Sequence, residues 1–545
     1  MGNKTMIDNF EVMTCADLGA FNPIKDDCAL GKFLDNSRGL LDKVVIMEDR
    51  EPNFFLTYRE DDSSVVPMNR HGPRDDVWKQ RDLKRLVDSF HENGIEVLIG
   101  FWVHECKWID ERHPELLMRR STGSLWRDPV AHSADFNPLK GLSRDLEFGI
   151  EEGSSFSEYA LSQYRGLEAN FGFDGLFIGD GGMGFREYGD DRRGLRYFDY
   201  SDKWINEFIE SAYCEEHDLC PLKESASVTV KARDIWAHHW ADWTRFNCDR
   251  WTRFYEYISK GVHALGGKLA AYTCMNYGPC IAINHGIDYK AIANAGLDYL
   301  VFQTYDYAWG PYKFDILSKD ITTNLFELLC TKAYIGKTRT KLLFTTEVGD
   351  RVEGWKSPIA HTLGETYTYA NTTFFDGERK RSCVDGTLMV WGNFLEPWEW
   401  ELLLNAYRNI TIFAEREISE WHIPRPFYHG NMPKFKILMW DDKSVESVLE
   451  TVATKQKDVY IVERGGKRGH HLLDTVATEQ KDVYAYHEPT KKKVMDAGGF
   501  IGWIVRREDS DRINAEPVPV LCKSMKDLDE GVSDASRRTD DGDRT

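Results

Sequence analysis

The chain has 545 residues, with 89 acidic against 69 basic side chains, a formal net charge of −20 and 42% hydrophobic residues. That apolar share is enough for a sizeable core and excludes a globally disordered chain. The negative balance argues against a general nucleic-acid binder, which needs clustered Lys and Arg.

No stretch of about 18 apolar residues reads as a membrane span. The opening, MGNKTMIDNFEVMTCADLGAF, has no apolar segment of a secretory signal. The expectation is a cytoplasmic protein with no nucleic-acid and no membrane partner. The 11 Cys are scattered, and the closest spacings, Cys214 to Cys220 and Cys274 to Cys280, lack the C-x2-C form of zinc or redox sites. They read as free thiols in a reducing compartment. In the pairs His238-His239 and His470-His471, adjacent side chains diverge, so they make poor joint ligands. No metal and no cofactor is expected.

Residues 1–50 follow no regular pattern and are set apart as an N-terminal extension. NFFLTY (53–58) predicts a first strand. VWKQRDLKRLVDSFHENG (77–94) predicts a helix, with Trp78, Leu83, Leu86, Val87 and Phe90 on one stripe and Gly94 as C-cap. EVLIGFWV (96–103) is continuously apolar, as a strand buried on both faces should be. ADFNP (134–138) reads as a short third strand, FSEYALSQYRGLEANFG (156–172) as a helix and FDGLFIGD (173–180) as the fourth strand. A long helical stretch covers 197–265, with Trp243, Phe246, Trp251 and Phe254 on its inner face. KLAAYTCMNYG (268–278), DYLVFQTYDYAWG (298–310), KLLFTTEVGD (341–350) and TLMVWGNF (387–394) supply four more strands, with a helix over 318–336.

Strands alternating with helices pair in parallel through right-handed crossovers. Eight such units over 51–415 predict an α/β chain closed into a (β/α)8 TIM barrel with extended loops. An open doubly wound sheet is the competing fold. Residues 416–522 change to short strands and turns, a small β-rich C-terminal domain. There TVATKQKDVY (451–460) recurs as TVATEQKDVY (475–484), a duplicated unit with too few copies for a solenoid. Residues 523–545 are polar and read as a disordered tail.

In such a barrel the chemistry lies at the C-terminal ends of the strands. Reading past each apolar run gives Glu60, Trp102, His104, Asn137, Asp180, Asn276, Tyr277, Tyr305, Asp306, Trp309, Glu347 and Trp391, and Arg186 follows in the segment after Asp180. No Lys ends a strand, which counts against a Schiff-base enzyme. Asp180 closes FDGLFIGD and is flanked by Gly179, Gly181 and Gly182, which leave a carboxylate uncrowded. Its bland alternative is a helix or turn cap. The same stretch matches G-x-G-x-x-G through Gly179, Gly181 and Gly184. A phosphate cradle is rejected because Asp180 would repel phosphate and FREYGDDRRG does not open a packed helix. Glu347 ends KLLFTT, and Asp306 is its rival as the second carboxylate. Trp102, Tyr277, Tyr305, Trp309 and Trp391 can stack on a pyranose face or simply pack the rim, and Asn137, Asn276, Glu60, His104 and Arg186 are the polar contacts in this reading.

The strand-end pattern resembles the TIM-barrel glycoside hydrolases. GFDGLFIGD looks like the fourth-strand segment that carries the nucleophilic Asp in α-amylase-like and α-galactosidase-like barrels. HENGIEVLIGFWVHE, with HPELL and SLW after it, is similar to the second-strand region of glycosyl-hydrolase-like barrels. The resemblance implies that Asp180 is the nucleophile. Glu347 on strand 7 resembles the position used by the retaining clan whose two catalytic residues are both Glu, a clan from which the strand-4 Asp departs, and Asp306 on strand 6 would match the α-galactosidase arrangement. Strand 5 ends in Met275-Asn276-Tyr277 without a carboxylate, a departure from the α-amylase pattern.

The expectation is a retaining glycoside hydrolase acting on an oligo- or polysaccharide, with its oligomeric state open and a homo-oligomer allowed. The alternatives are a non-catalytic carbohydrate-binding or structural barrel, and a barrel enzyme acting on a phosphorylated metabolite.

Overall fold

The computed structural model describes residues 10–414 except 17, 38–40, 48–53, 60–64, 67–77, 104–105, 127–133, 135, 180–182, 184–197, 212–226, 274–276, 305–320, 337, 351–354, 357–358, 371–372, 376–379, 391 and 393–394; beyond these it describes 460–462, 484–486, 500–505 and 519–521. The chain divides into two compact units. The first comprises Met1–Ser318, Ile335–Thr366 and Val384–Thr411; the second comprises Lys319–Tyr334, Tyr367–Cys383 and Ile412–Thr545.

The first unit is built on eight parallel strands closed into a barrel. They are β1 (Glu11–Ala16), β2 (Lys43–Met47), β3 (Glu96–Phe101), β4 (Gly175–Ile178), β5 (Lys268–Tyr272), β6 (Tyr299–Phe302), β7 (Lys341–Glu347) and β8 (Gly386–Val390). Each pairs with its sequence neighbours, and β8 closes on β1 with Leu388 opposite Met13. The expected barrel is therefore the fold, and the open sheet is excluded.

Two expected strands need correction, and with them the boundary of the barrel. NFFLTY is a single helical turn, Phe54–Thr57. Its apolar side chains cover the outside of the barrel, and Phe55 stacks on Phe101 at 4.2 Å with the rings parallel to 1°. Among the described residues ADFNP forms no strand; it carries bridge positions at Ala134 and Phe136, the latter paired with Leu117. The true first and second strands lie inside 1–50, so the barrel starts at Glu11 and not beyond residue 50. The two errors cancel in the count, and FDGLFIGD remains strand 4.

The missed strands carried a readable signal. Each even-numbered strand is entered through an apolar residue followed by Asp: Leu41-Asp42, Phe173-Asp174, Leu297-Asp298 and Val384-Asp385. The apolar partners are buried. Each Asp side chain accepts a backbone N–H from the preceding odd-numbered strand: Asp42 from Val12 (3.0 Å), Asp174 from Val97 (2.7 Å), Asp298 from Leu269 (2.8 Å) and Asp385 from Leu342 (2.8 Å). The Asp backbone N–H donates to the carbonyl of the same residue at 2.7–3.0 Å. The first amide of each odd-numbered strand donates to the backbone carbonyl of one of these Asp residues, Glu96 to Asp42 for example, and the carboxylate takes the amide of the strand's second residue.

The interior is layered, as strand alternation requires. Met13, Leu98, Ala270 and Leu343 come from odd-numbered strands, and Val45, Phe177, Val301 and Leu388 from even-numbered ones. Below them the N-terminal pole is ionic. Lys43 pairs with Glu96 at 2.9 Å and Glu11 at 3.9 Å, and Lys341 also pairs with Glu11. Tyr299 donates to Glu11 at 3.3 Å. Burial first, then the Glu11 charge, pushes the Tyr299 hydroxyl far above its ordinary pKa.

Three helices that matter for the site follow their sequence signals. The first, α1 (Gln80–Glu92), buries Leu83, Leu86, Val87 and Phe90, and Gly94 beyond it sits at φ +70°. The second, α2 (Phe156–Phe171), has a Ser155/Glu158 capping box and Gly172 in the left-handed conformation. The third, α3 (Trp240–Ala264), buries Trp243, Phe246, Trp251 and Phe254, so this aromatic set belongs to packing. No helix among the described residues is long and apolar enough to cross a membrane.

In the second unit Thr373–Phe375 pairs antiparallel with Lys380–Ser382. The copies of the duplicated sequence end in Tyr460 and Tyr484. These open β9 (Tyr460–Val462) and β10 (Tyr484–Tyr486), which pair in parallel with Tyr460 opposite Tyr484.

Candidate active site

The C-terminal mouth of the barrel has an apolar floor. Trp102 follows β3 directly, half-buried, and packs on the interior layers. Its ring lies 6.3 Å from that of Tyr272, which meets Phe177 edge-on at 4.8 Å. The fit depends on small neighbours. A Cβ at Gly179 would come within 2.9 Å of the Trp102 ring, 3.0 Å of the Phe101 carbonyl and 3.2 Å of the Met47 methyl. A Cβ at Gly100 would overlap the Met47 sulfur. Gly179 is therefore required by the close approach of Trp102, and its N–H donates to the Phe101 carbonyl at 2.8 Å. The next residue in the sequence is Asp180.

The ends of β5, β6 and β7 are laced by hydroxyls. The Thr273 N–H donates to the Val301 carbonyl at 2.9 Å, and the Gln303 N–H donates to Thr273 Oγ1 at 3.1 Å. The Thr304 N–H donates to Thr345 Oγ1 at 2.8 Å, while the Thr304 hydroxyl donates to the Thr345 carbonyl at 2.6 Å. Glu347 is the last residue of β7, opposite Val390 in the ladder, at the register parity of Leu343 and Thr345. The sequence reading passed over Thr273, Gln303, Thr304 and Thr345. The available signal was polar residues directly ending the apolar runs YLVF and LLF.

Two long rim loops are tied together by a buried ion pair. Lys140 Nζ lies 2.6 Å from Asp199 Oδ2, and both side chains are 0% exposed. Asp199 also accepts from the Arg119 N–H (3.1 Å), the Ser201 N–H (2.9 Å), the Ser201 hydroxyl (3.0 Å) and Asn137 Nδ2 (3.1 Å). The loop between β3 and α2 is thereby joined to the segment that returns after β4. This corrects the expectation for Asn137. It is fully buried, its Nδ2 is given to Asp199 and its Oδ1 to the Leu139 N–H at 3.0 Å. It is inaccessible to a substrate.

The same β3–α2 loop buries His113 between Glu115 Oε1 (2.8 Å) and Asp145 Oδ2 (3.5 Å). Burial pushes the Glu115 carboxyl up, but hydrogen bonds from the Ser143 N–H and His113 outweigh it and hold the pKa below the ordinary value.

Of the other expected contacts, Tyr277 is half-buried and stacks on His285 at 5.2 Å, and its carbonyl accepts from the Tyr289 hydroxyl at 2.9 Å. Glu60, His104, Asp180, Arg186, Asn276, Tyr305, Asp306, Trp309 and Trp391 lie outside the described residues, as does the side chain of Glu347. Glu60 was placed on the rim by a strand that is a helical turn, so that placement loses its basis.

No protein-family model and no curated protein sequence matches the chain. Solved structures similar to it include α-L-fucosidase isoenzyme 2 from Paenibacillus thiaminolyticus, at a TM-score of 0.44 and 11% identity over 87% of this chain and 64% of that one. The chain thus spans less than two thirds of that fucosidase's length. A maltogenic α-amylase from Thermotoga neapolitana matches at 0.36 and 13%, over 75% of this chain and 77% of that one. A class V chitinase from Pseudomonas fluorescens matches at 0.35 and 11%, over 73% and 99%. These neighbours are glycoside hydrolases.

Proposed function

We propose that this chain is a retaining glycoside hydrolase acting on an oligo- or polysaccharide. The observation that carries the reading is the mouth of the barrel. A half-buried tryptophan forms its floor against Gly179, the residue that leads into Asp180, and Glu347 closes β7 on the same rim. An aromatic face beside carboxylates suits a pyranose, whose ring C–H bonds stack on the indole while its hydroxyls meet polar groups.

In this mechanism Asp180 attacks the anomeric carbon as Glu347 protonates the departing glycosidic oxygen. Glu347 then takes a proton from water, and that water displaces Asp180 from the glycosyl-enzyme. Asp180 stays ionised, and Glu347 must hold its proton until the bond breaks. Asp306 is the alternative acid/base.

The test is a panel of 4-nitrophenyl glycosides with anomeric NMR on any substrate found. Asp180→Asn and Glu347→Gln should each lower kcat by about 100-fold or more, and the product should keep its anomeric configuration. Asp180→Asn at the wild-type rate would sink the nucleophile assignment. Asp306→Asn inactive beside an active Glu347→Gln would move the acid/base role to Asp306.

A further inference from the structure

Two consecutive amides where β6 leaves the barrel are held by hydroxyls rather than carbonyls. The β6–β7 ladder ends at Phe302 opposite Phe344. Beyond it, the Gln303 N–H is taken by Thr273 Oγ1 at the end of β5, and the Thr304 N–H by Thr345 Oγ1 in β7. The Thr304 hydroxyl completes a reciprocal pair by donating to the Thr345 carbonyl. Thr273, Thr304 and Thr345 are 3%, 0% and 1% exposed, so water does not compete for these bonds. A continued backbone ladder would keep β6 in line with β7. Side-chain acceptors hold the exit of β6 against both neighbours while letting its chain depart. Valine has the same shape as threonine and serves in the barrel interior at Val45 of β2 and Val301 of β6. These three hydroxyls stand at the C-terminal ends of β5, β6 and β7, while other buried threonines, Thr14 and Thr387, stand within strands.

We propose that Thr273, Thr304 and Thr345 form a hydroxyl clamp that positions the ends of β6 and β7 for catalysis. Thr345 stands two residues before Glu347, and Thr304 two residues before Asp306. The clamp thus fixes the spacing of the two chain exits that lead to the acid/base candidates. This rests on the reading of the rim as a glycosidase site. Thr304 and Thr345 act through Glu347 and are positioning residues, not catalytic ones. Their chemistry predicts its own rescue, since serine keeps the oxygen that valine removes.

The test uses the full chain and a 4-nitrophenyl glycoside that the wild type hydrolyses. Thr345→Val should lower kcat by about 100-fold with KM little changed, the cost of a small misplacement of a reacting group. The basic limb of its pH–rate profile should shift as well, since in the glycosidase reading that limb reports the acid at the end of β7. Thr345→Ser should restore both. Thr387→Val is the control. Its hydroxyl makes buried bonds to Thr346 (2.7 Å) and to the Phe344 carbonyl (3.1 Å), so it should lower Tm but leave the pH profile unchanged. If Thr345→Val does not fold, Thr304→Val and Thr304→Ser give the same comparison. A wild-type kcat and pH profile in the valine variants, beside an inactive Glu347→Gln, overturns the clamp alone. Glu347→Gln and Asp306→Asn both active at the wild-type rate overturn the reading on which it rests.

Discussion

At the N-terminal pole of the barrel, each even-numbered strand is entered through an Asp that embraces a residue of its odd-numbered neighbour, and the arrangement occurs four times. At the C-terminal rim the described strand ends differ: β3 runs into Trp102, β4 into Gly179, β5 into Thr273 and β6 into Gln303 and Thr304, the last bonded to Thr345 near the end of β7. The first pole repeats because its task is the same at every strand, which is to satisfy the opening amides and close the bottom of the barrel. The rim varies because each strand end has a different group to place. Even so, a fully buried ion pair lies on the rim side, Lys140–Asp199, beside the cluster of Phe198, Tyr200, Trp204 and Trp243 on which Leu139 packs.

That contrast can be broken most sharply at Lys140. Lys140→Met leaves Asp199 charged, buried and short of its cation, and should cost about 3–5 kcal/mol in urea denaturation. Replacing both, as Lys140→Met with Asp199→Asn, should recover part of the loss. A cost below about 1 kcal/mol would mean that the pair is not closed to water.

Asp174→Ala probes the opposite pole. It removes the acceptor for the Val97 N–H and the partner of His91 Nε2 at 2.8 Å. The expected cost is about 1.5–3 kcal/mol, with kcat unchanged. Gly179→Ala should have the reverse balance. The added methyl meets the Trp102 ring, so a stability loss of about 1–3 kcal/mol should come with a raised KM as the floor tilts. If Asp174→Ala impaired turnover as much as Gly179→Ala, the division of labour between the poles would fail.

The smallest effect concerns pH. A carboxyl whose folded pKa lies below its unfolded value contributes stability above the unfolded value, and loses it as pH falls through the folded one. Glu115 is of this kind. Wild type should therefore exceed Glu115→Gln in Tm at neutral pH, and the gap should close on acidification below the ordinary carboxylate range. A gap that widened in acid would contradict the depressed pKa.

Much of this was legible beforehand. Seven of the eight strands carry apolar runs, because a parallel strand is covered on both faces, and of these only KVVIM in β2 was missed. The helical stripe through Leu83, Leu86, Val87 and Phe90 also needs only the helical period to be read. EVMTCA interrupts its apolar residues with Thr14, and its strand character comes from pairing with β8, 375 residues away along the chain at the Thr14–Met389 contact. NFFLTY failed in the opposite sense. Its Phe pair has the composition of a strand, but the face of Phe101 and the flank of α2 gave it a better place to bury those rings as a helical turn. Asn137 misled for the same reason, since a polar residue after an apolar one marks a strand end only when the strand exists.

By itself, then, the chain's amino-acid order determined the alternation of strands and helices, the division of the aromatic set in α3 from the rim, and the placing of Asp180 and Glu347 after the apolar runs of β4 and β7. These depend on period and local chemistry. Only the tertiary structure decided that the barrel starts at Glu11, that Asn137 belongs to a buried ionic knot, and that threonine hydroxyls tie β5, β6 and β7 together at the rim. Each of those depends on which distant residue arrives opposite, and closure of the barrel settles that for all eight strands together.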